Sequence, residues 1–306
     1  MNEILRVESV FKSFGRVKVL DGISLGVPEG SVFGFIGANG AGKTTTMKII
    51  LGLLARDEGE VYVCGEKVRF GMTPTNRNVG YLPDVPEFYN YMKPAEYLRL
   101  CGKISEMRDA EINERTNKLL DLVGLKKANK KIGAFSRGMK QRLGVAQALI
   151  NSPKLLICDE PTSALDPVGR KDILNILQQI KGETTVIFST HILSDVEKIC
   201  DRAAVLRDGK IVLEGALSEL TGKNKTNGVR IEFAKSIDAA RFKLRLPDEI
   251  LINHAEPSDT ELILNVRDVA AAQRLAMATM LELDITPSRI ELLEAKIEDL
   301  FMEAFV

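Results

Sequence analysis

The sequence has no apolar run long enough to cross a membrane. Its longest apolar stretches, such as Val32 to Ile36 and Leu155 to Cys158, fall far short of the roughly 18 consecutive apolar residues of a membrane-spanning helix. The N-terminal segment from Met1 to Arg6 also lacks the basic start, apolar stretch and small-residue cleavage site of an export signal. These absences predict a cytoplasmic protein, whose membrane role, if it has one, must run through a partner.

Cysteine is scarce, and neither sign of charge is in excess. The 4 cysteines are far apart and form no C-x-x-C pair, which argues against a disulfide framework or a zinc site and predicts reduced core thiols. The 42 Lys and Arg residues balance 42 Asp and Glu residues, whereas a nucleic-acid-binding protein usually has a basic excess on some face. The composition therefore disfavours DNA or RNA as a partner.

The first part of the chain reads as a sheet followed by a helix. With 306 residues and 45% hydrophobic content, the chain can form one large domain and a smaller one. Val7 to Leu25 alternates as short antiparallel strands do, and Val32 to Ile36 is continuous, as in a strand buried on both faces of a parallel sheet. A glycine-rich loop follows, and Thr44 to Leu54 has helical spacing.

In the middle of the chain the sequence pattern changes from strands to helices and then back to strands. Between about 86 and 150 the pattern is helical, which predicts a helical subdomain inserted into the sheet. Buried strands return at Leu155 to Cys158 and at Thr185 to Phe188, and Ala203 to Leu206 with the turn at Asp208 and Gly209 reads as another strand. The first domain is thus predicted to span residues 1–220.

A second domain is predicted at the C-terminus. Residues 221–228 are polar and aperiodic, which indicates a linker. Residues 229–306 are predicted to form a small α+β domain. The chain from Lys225 onward contains 10 Lys and Arg against 15 Asp and Glu, which again disfavours nucleic acid. Its predicted elements are three strands and two helices: Val229 to Phe233, Ile250 to Asn253, Glu261 to Val266, Asp268 to Leu283 and Ile297 to Phe305.

The glycine-rich loop carries a phosphate-binding pattern. Residues 37–44 fit G-x-x-x-x-G-K-[ST] between a buried strand and a helix. In such a loop backbone N–H groups and the helix dipole face the phosphates, Lys43 bridges the β- and γ-phosphates of ATP, and Thr44 ligates Mg²⁺. A plain glycine turn is the alternative. The predicted nucleotide-binding residues are Gly37, Ala38, Asn39, Gly40, Ala41, Gly42, Lys43, Thr44 and Thr45.

Two acids end the strand at Leu155 to Cys158. Ligands of open α/β sheets bind at the carboxyl ends of strands, and adjacent strand residues point to opposite sides. We therefore assign Asp159 to Mg²⁺ and Glu160 to the general base or water-orienting group of γ-phosphate hydrolysis. Taken alone, such a pair is more often a helix cap or a turn, but its place beside the phosphate loop favours catalysis.

The segment from Phe135 to Arg142 resembles the signature motif of ABC ATPases. It precedes the acidic strand, as it does in that family. Further matches follow the family order: Phe14 resembles the aromatic that stacks on adenine, Ser163 to Asp166 the D-loop, and His191 the switch histidine. The resemblance covers residues 1–220 and implies an α/β fold: a P-loop NTPase (RecA-like) core with an antiparallel β subdomain and the inserted helical subdomain.

The resemblance implies a head-to-tail dimer with two ATP molecules between the subunits. Ser136 and Gly138 open a helix whose N-terminus suits a phosphate, and in the family that phosphate belongs to ATP on the opposite subunit. Asp166 is implied at the nucleotide, and His191 is implied as a hydrogen-bond partner of the γ-phosphate. Phe14 is implied at adenine, although Phe11 could be confused with it and either could be core.

The sequence departs from the family pattern at two motifs. Asp84 stands where most relatives have the Q-loop glutamine, and its carboxylate can reach Mg²⁺ directly or through water. In the signature, Arg137 replaces glycine and Met139 replaces glutamine. Arg137 could add charge at the phosphate or point to solvent, and the sequence leaves both open.

In the family a groove after the Q-loop receives a short helix of the membrane subunit. Four of the five tyrosines lie between Tyr81 and Tyr97, with Phe88 among them, and such aromatics are favoured at interfaces, although subdomain core is an equal alternative. The signature variant, the separate ATPase chain and the tail from Ile297 to Phe301 resemble the ATPases of bacterial ABC-2-type exporters.

The resemblance thus implies an ATP- and Mg²⁺-dependent ATPase subunit, peripheral at the inner face of the cell membrane. Its partners would be an integral membrane permease and a second ATPase subunit, identical or pseudo-symmetric. One alternative is a soluble ABC ATPase acting on ribosomes or nucleic acid, which predicts two cassettes or a coiled-coil insertion and a basic surface. The other is a non-hydrolysing binding module, which would have lost Lys43, Glu160 or His191.

Overall fold

The computed structural model describes residues 3–71, 74–223, 228–246, 259–265 and 269–293. The chain divides into two compact units, Met1–Leu217 and Ser218–Val306. Across the described ranges, every helix is too short or too polar to traverse a bilayer.

In its described residues, the first unit contains ten strands and six α-helices. The strands are β1 (Glu3–Phe14), β2 (Val17–Pro28), β3 (Val32–Ile36), β4 (Glu58–Val63), β5 (Glu66–Lys67), β6 (Val79–Leu82), β7 (Leu155–Asp159), β8 (Thr185–Thr190), β9 (Arg202–Arg207) and β10 (Lys210–Ala216). The helices are α1 (Lys43–Ile50), α2 (Pro94–Ile104), α3 (Asp109–Leu122), α4 (Arg137–Ala148), α5 (Pro167–Gln179) and α6 (Leu193–Ile199). Short 3-10 turns lie at Pro74–Asn78 and Ile132–Ala134.

Two sheets form this unit. The antiparallel sheet has the order β2-β1-β4-β5, and the larger sheet has the order β10-β9-β3-β8-β7-β6. In the larger sheet β9, β3, β8, β7 and β6 run parallel, so their carboxyl ends share one edge. Every residue of β3, β7 and β8 is buried, which explains their continuous apolar sequences and confirms the predicted buried strands.

Helix α1 is shorter than the sequence predicted. The spacing of apolar residues extends to Leu54, but the helix ends at Ile50. Gly52 adopts a φ of 68°, a left-handed conformation that terminates helices and that glycine adopts without a steric penalty. The remaining apolar residues, Leu51 and Leu54, pack in the turn that leads toward β4.

The helical segment lies between β6 and β7, as predicted. Helix α4 packs directly on β6, and two glycines permit this approach. A Cβ on Gly80 would lie 2.1 Å from the carbonyl oxygen of Ala148, and a Cβ on Gly144 would lie 2.6 Å from Leu82 Cδ1. The C-terminal half of α4 is therefore in close contact with the strand.

The second unit contains a three-stranded antiparallel sheet in the order β12-β11-β13. Its core includes the tilted ring pair Phe233 and Phe242, 5.2 Å apart between centroids. The described elements are α7 (Leu217–Lys223), whose first residue ends the first unit, β11 (Gly228–Phe233), α8 (Ser236–Lys243), β12 (Glu261–Asn265), α9 (Val269–Leu283) and β13 (Pro287–Leu293).

The sequence predictions for this region differ from the structure at the linker and at two elements that the sequence does not predict. The polar sequence predicts a linker at 221–228, but α7 extends to Lys223. Leu220, in the last turns of this helix, is buried, although the residues after it are polar. Helix α8 and strand β13 were not predicted, because their short segments lack a clean period. The predicted strand at 250–253 and helix at 297–305 lie outside the described residues.

Candidate functional site

The phosphate-loop sequence connects the buried strand β3 to α1. Gly40 and Gly42 have φ values of 84° and 109°, which side chains rarely adopt. A Cβ on Gly37 would lie 2.6 Å from the carbonyl oxygen of Leu206. The glycines are thus required by backbone conformation and close packing.

Lys43 points back into this loop. Its side chain is only 6% exposed, and Nζ donates hydrogen bonds to the carbonyl oxygens of Gly37 at 2.7 Å and Ala38 at 3.2 Å. Nζ also forms an ion pair with Glu160 Oε1 at 3.1 Å. A buried ammonium at the start of a helix is a strong attractor for phosphate oxygens, and Glu160 is the anion that contacts it here.

Asp159 and Glu160 lie at the carboxyl end of β7 and face different surroundings. Asp159 is 3% exposed and accepts a hydrogen bond from Ser189 Oγ at 2.6 Å. Ser189 Oγ in turn accepts the backbone N–H of Glu160 at 3.0 Å. Glu160 has a φ of 48°, an uncommon conformation for a residue with a side chain, which ends the strand and separates the two carboxylates.

His191 completes a cluster around Glu160. Its Nδ1 lies 3.0 Å from Glu160 Oε2 and donates to it when that nitrogen carries the proton. The carboxylate therefore has Lys43 at one oxygen and His191 at the other, while the His191 side chain remains 45% exposed. The parallel order β3-β8-β7 brings the three residues together, because each follows the carboxyl end of one of these strands.

The oxygen groups beside the cluster fit a hard cation. Thr44 is exposed on the first turn of α1, Asp159 is buried nearby in β7, and Asp84 follows β6 at the same sheet edge. Asp84 Oδ1 is buried without a hydrogen-bond partner. Among the described residues no group of three or more His, Cys, Asp or Glu could hold a metal, so a cation here would also need phosphate or water oxygens, as Mg²⁺ commonly does.

Ser136 and Gly138 lie at the start of α4. Ser136 is the N-cap, and its Oγ accepts the backbone N–H of Met139 at 3.3 Å. A Cβ built on Gly138 meets nothing within 4 Å, so the surface above it is open. No hydrogen bond or ion pair in the described part of the chain connects either residue to the phosphate loop.

Phe14 and Phe11 have different environments. Phe14 is 50% exposed at the end of β1, with Lys12 Nζ 5.4 Å from its ring centroid. Phe11 is only partly exposed, and its Cζ lies 2.9 Å from the position of a Cβ on Gly22. The Phe11 ring is therefore already packed on the hairpin, whereas the Phe14 ring is available for stacking.

Asp166 caps α5 by accepting the backbone N–H of Gly169 at 3.2 Å. The segment before it is held by Asp195, which is fully buried. Asp195 accepts hydrogen bonds from Thr162 Oγ1 at 2.7 Å and Arg170 Nε at 2.6 Å. This network holds the chain between Glu160 and α5 in place. No sequence motif indicates it, because its members lie on separate elements.

Ser189 is another residue of the site that the sequence motifs do not identify. It stands two positions before His191 and pairs with Asp159 in the β7–β8 register. Parallel strand order, once known, would have identified it as the neighbour of Asp159. Its hydroxyl orients both acids and so belongs to the site.

The aromatic residues after β6 divide between core and surface. Tyr97 is 8% exposed, and its hydroxyl bonds Gln147 Oε1 at 3.0 Å. Tyr89 and Tyr91 are 54% and 69% exposed. Phe88, Tyr89 and Tyr97 line a groove of about 690 Å³ between β6 and α2.

Comparison with known proteins decides the family. The ABC transporter family model matches residues 20–163. The chain is 35% identical to the uncharacterized ABC transporter ATP-binding protein YxlF of Bacillus subtilis over 98% of this chain and 99% of that protein. This chain belongs to the ABC transporter ATP-binding proteins. The expected family and α/β fold are confirmed, and as an ABC ATPase the chain binds nucleotide and hydrolyses ATP.

Other ABC proteins agree with this assignment. The bacitracin transport ATP-binding protein BcrA of Bacillus licheniformis is 36% identical over 74% of each chain. An ATP-binding cassette of an ABC transporter in its ADP conformation, MJ1267, superposes with a TM-score of 0.65 at 30% identity, over 72% of this chain and 93% of that one. The cassette MJ0796, dimeric in a post-hydrolysis state with ADP and Pi, gives 0.62 at 26% identity, over 70% and 98%.

Proposed function

We propose that this ABC ATPase drives a separate membrane permease, most similar to bacterial exporters, through ATP-dependent closure of a dimer. The observation that carries the catalytic part is the position of Glu160, 3.1 Å from Lys43 Nζ and 3.0 Å from His191 Nδ1 at the phosphate loop. In this proposal Lys43 moves its contact from the carboxylate to the γ-phosphate. Glu160 then accepts a proton from the attacking water, and His191 donates to the γ-phosphate.

Residues 37–45 bind the nucleotide in this proposal. The loop N–H groups contact the phosphates, and Phe14 stacks on the base. Thr44 and Asp159 hold Mg²⁺, with Asp84 at or near the same ion. When bound, Mg²⁺ would neutralise charge on the β- and γ-phosphates. The fit is supported by the oxygen-only donor set and by the Asp84 oxygen that accepts no hydrogen bond.

The dimer supplies the remaining contacts to nucleotide. Ser136 and Gly138 of one protomer face the γ-phosphate bound by the other, and Asp166 lies near the same interface. The open surface above Gly138 and the helix N-terminus at Ser136 support this role, since a phosphate can reach the N–H groups there without a steric barrier. The dimeric state of a related cassette with ADP and Pi supports it as well.

The permease contact is placed at the groove after β6. Tyr89 lines this groove, and the Tyr91 ring lies beside it with 5.9 Å between ring centroids. Both rings are exposed and suit the apolar side of a short partner helix. The export direction rests on similarity to the bacitracin transport protein. The protein would then sit peripherally at the inner face of the membrane.

Partner capture tests this proposal. We expect the chain to co-purify with an integral membrane protein from mildly solubilised membranes. Tyr89→Ala and Tyr91→Ala should reduce that recovery, while Tyr62→Ala, on the antiparallel sheet, should leave it unchanged. Recovery of ribosomes or nucleic acid in place of a membrane protein would contradict the transport role.

A further inference from the structure

The two positions at which the sequence departs from the family pattern lie opposite each other. Arg137, the first residue of α4, places Nη2 3.9 Å from Oδ1 of Asp84 in the loop after β6. The residues usual at these positions, glycine and glutamine, cannot form an ion pair. Each departure therefore supplies the electrostatic partner of the other.

A neighbouring cation would stabilise the charge of the Asp84 carboxylate. Its Oδ1 is buried and accepts no hydrogen bond. The Arg137 guanidinium and the carboxylates of Asp159 and Glu160 lie close enough to interact electrostatically with Asp84. Arg137 thus offsets the repulsion that a third carboxylate brings to the nucleotide site.

The pair joins the N-terminal end of α4 to the loop after β6, and the two ends of this helix are packed differently. The C-terminal half of the helix is packed tightly on β6 through Gly80 and Gly144. The N-terminal end, which carries Ser136, is separated from the loop after β6 by a cavity of about 240 Å³. That cavity is lined by Asp84, Val85, Pro86, Phe135, Arg137, Lys140 and Gln141. The Asp84–Arg137 pair spans this less tightly packed end.

We propose that Arg137 is a positioning residue that acts through Asp84. The pair ties the start of α4 to the loop after β6 and neutralises Asp84 beside the bound phosphates. It thereby links a protomer's own nucleotide to the signature serine that serves the nucleotide of the partner. The second link rests on the dimer of the proposed function, whereas the first concerns one protomer alone.

A mutant cycle on ATP affinity tests the first link. Calorimetry with EDTA present measures Mg²⁺-free ATP binding to the wild type, Arg137→Ala, Asp84→Asn and the double variant. Arg137→Ala should weaken binding about twofold to fivefold, the range for a partly exposed pair, because the Asp84 charge then repels the phosphates. Adding Asp84→Asn to the Arg137→Ala variant should restore most of the lost ATP affinity.

Lys140 supplies the matched control. It lines the same cavity and carries the same charge but forms no ion pair with Asp84 among the described contacts. Lys140→Ala should change affinity by the same factor with or without Asp84→Asn. If Arg137→Ala also changes ATP affinity by the same factor with and without Asp84→Asn, the proposal is overturned. Arg137→Lys should keep most of the wild-type affinity, and near-equal melting temperatures for all variants would exclude a folding defect.

Dimerisation tests the second link separately. In a Glu160→Gln background, sedimentation with Mg-ATP should show a dimer that Arg137→Ala weakens and Arg137→Lys largely restores. If the background itself fails to dimerise, the proposed dimer fails, while the affinity cycle still decides the pair. If the dimer forms equally well with Arg137→Ala, the link between the two nucleotide sites is wrong although the dimer is correct.

Discussion

At the scale of single residues, the proposed function depends on the positions of a few charged side chains. Lys43 is nearly buried, yet three oxygens lie within 3.2 Å of Nζ, so its charge is compensated before a nucleotide arrives. Because Glu160 is one of these partners, ATP has to displace the carboxylate that we assign to catalysis. In the proposed function, this displacement would leave the base close to the γ-phosphate that replaces it.

The first prediction concerns Glu160→Gln. Hydrolysis should fall by about two to four orders of magnitude, because an amide cannot accept the water proton, while ATP binding should persist. Phosphate release and calorimetry measure the two properties. Glu183→Gln, an exposed acid before β8, is the control and should keep full activity. Near-normal turnover in Glu160→Gln would refute the assigned role.

The second prediction concerns Lys43→Ala. Loss of a charge-assisted hydrogen bond to phosphate should weaken ATP affinity about tenfold to a hundredfold. Lys48→Ala removes an exposed lysine from the same helix, so it should leave the dissociation constant within about twofold. Equal losses in the two variants would show that general charge, and not the position of Lys43, determines binding.

At the scale of elements, strand order and close helix packing create the site. Glu160, His191 and the phosphate loop follow β7, β8 and β3, and parallel pairing brings these strand ends to one edge. Helix α4 can hold its N-terminus in a defined place because its other end packs without a gap on β6. Glycine at that contact is therefore a structural requirement.

The third prediction concerns Gly80→Ala. The added Cβ would lie 2.1 Å from the Ala148 carbonyl oxygen, so backbone must shift and the free energy of unfolding should fall by about 1–3 kcal/mol. Denaturant titration measures the change. Gly138→Ala adds a Cβ in open space, and it should not lower stability, because alanine favours helix over glycine. Unchanged stability in Gly80→Ala would disprove the close contact.

At the scale of the whole molecule, the nucleotide machinery is confined to one unit. Every residue assigned to the nucleotide or the cation lies within Met1–Leu217. The second unit has its own core of buried residues around Phe233 and Phe242. Every contact that we assign to ATP or Mg²⁺ therefore belongs to the first unit.

The fourth prediction follows from this division. A chain that stops after Lys223 should fold and bind ATP within about threefold of the full-length affinity, because no assigned contact is removed. Circular dichroism and calorimetry on both lengths measure folding and binding. A folded short chain without ATP affinity would show that the second unit contributes to the site.

The local features of the site can be predicted from the sequence. Residues 37–44 predict a phosphate loop because a contiguous segment supplies the backbone donors, the lysine and the helix start. The continuous apolar runs at Val32 and Leu155 likewise predict buried strands, since their burial on both faces leaves no polar position. The acidic pair and the family motifs identified candidates for catalysis in the same way.

Contacts between residues far apart in the chain can be read from the folded structure alone. Strand pairing brought Ser189 to Asp159, and helix packing brought Arg137 to Asp84. It also distinguished the exposed Phe14 from the packed Phe11. These contacts depend on how elements far apart in the chain are packed, and local propensity or periodicity does not contain that information.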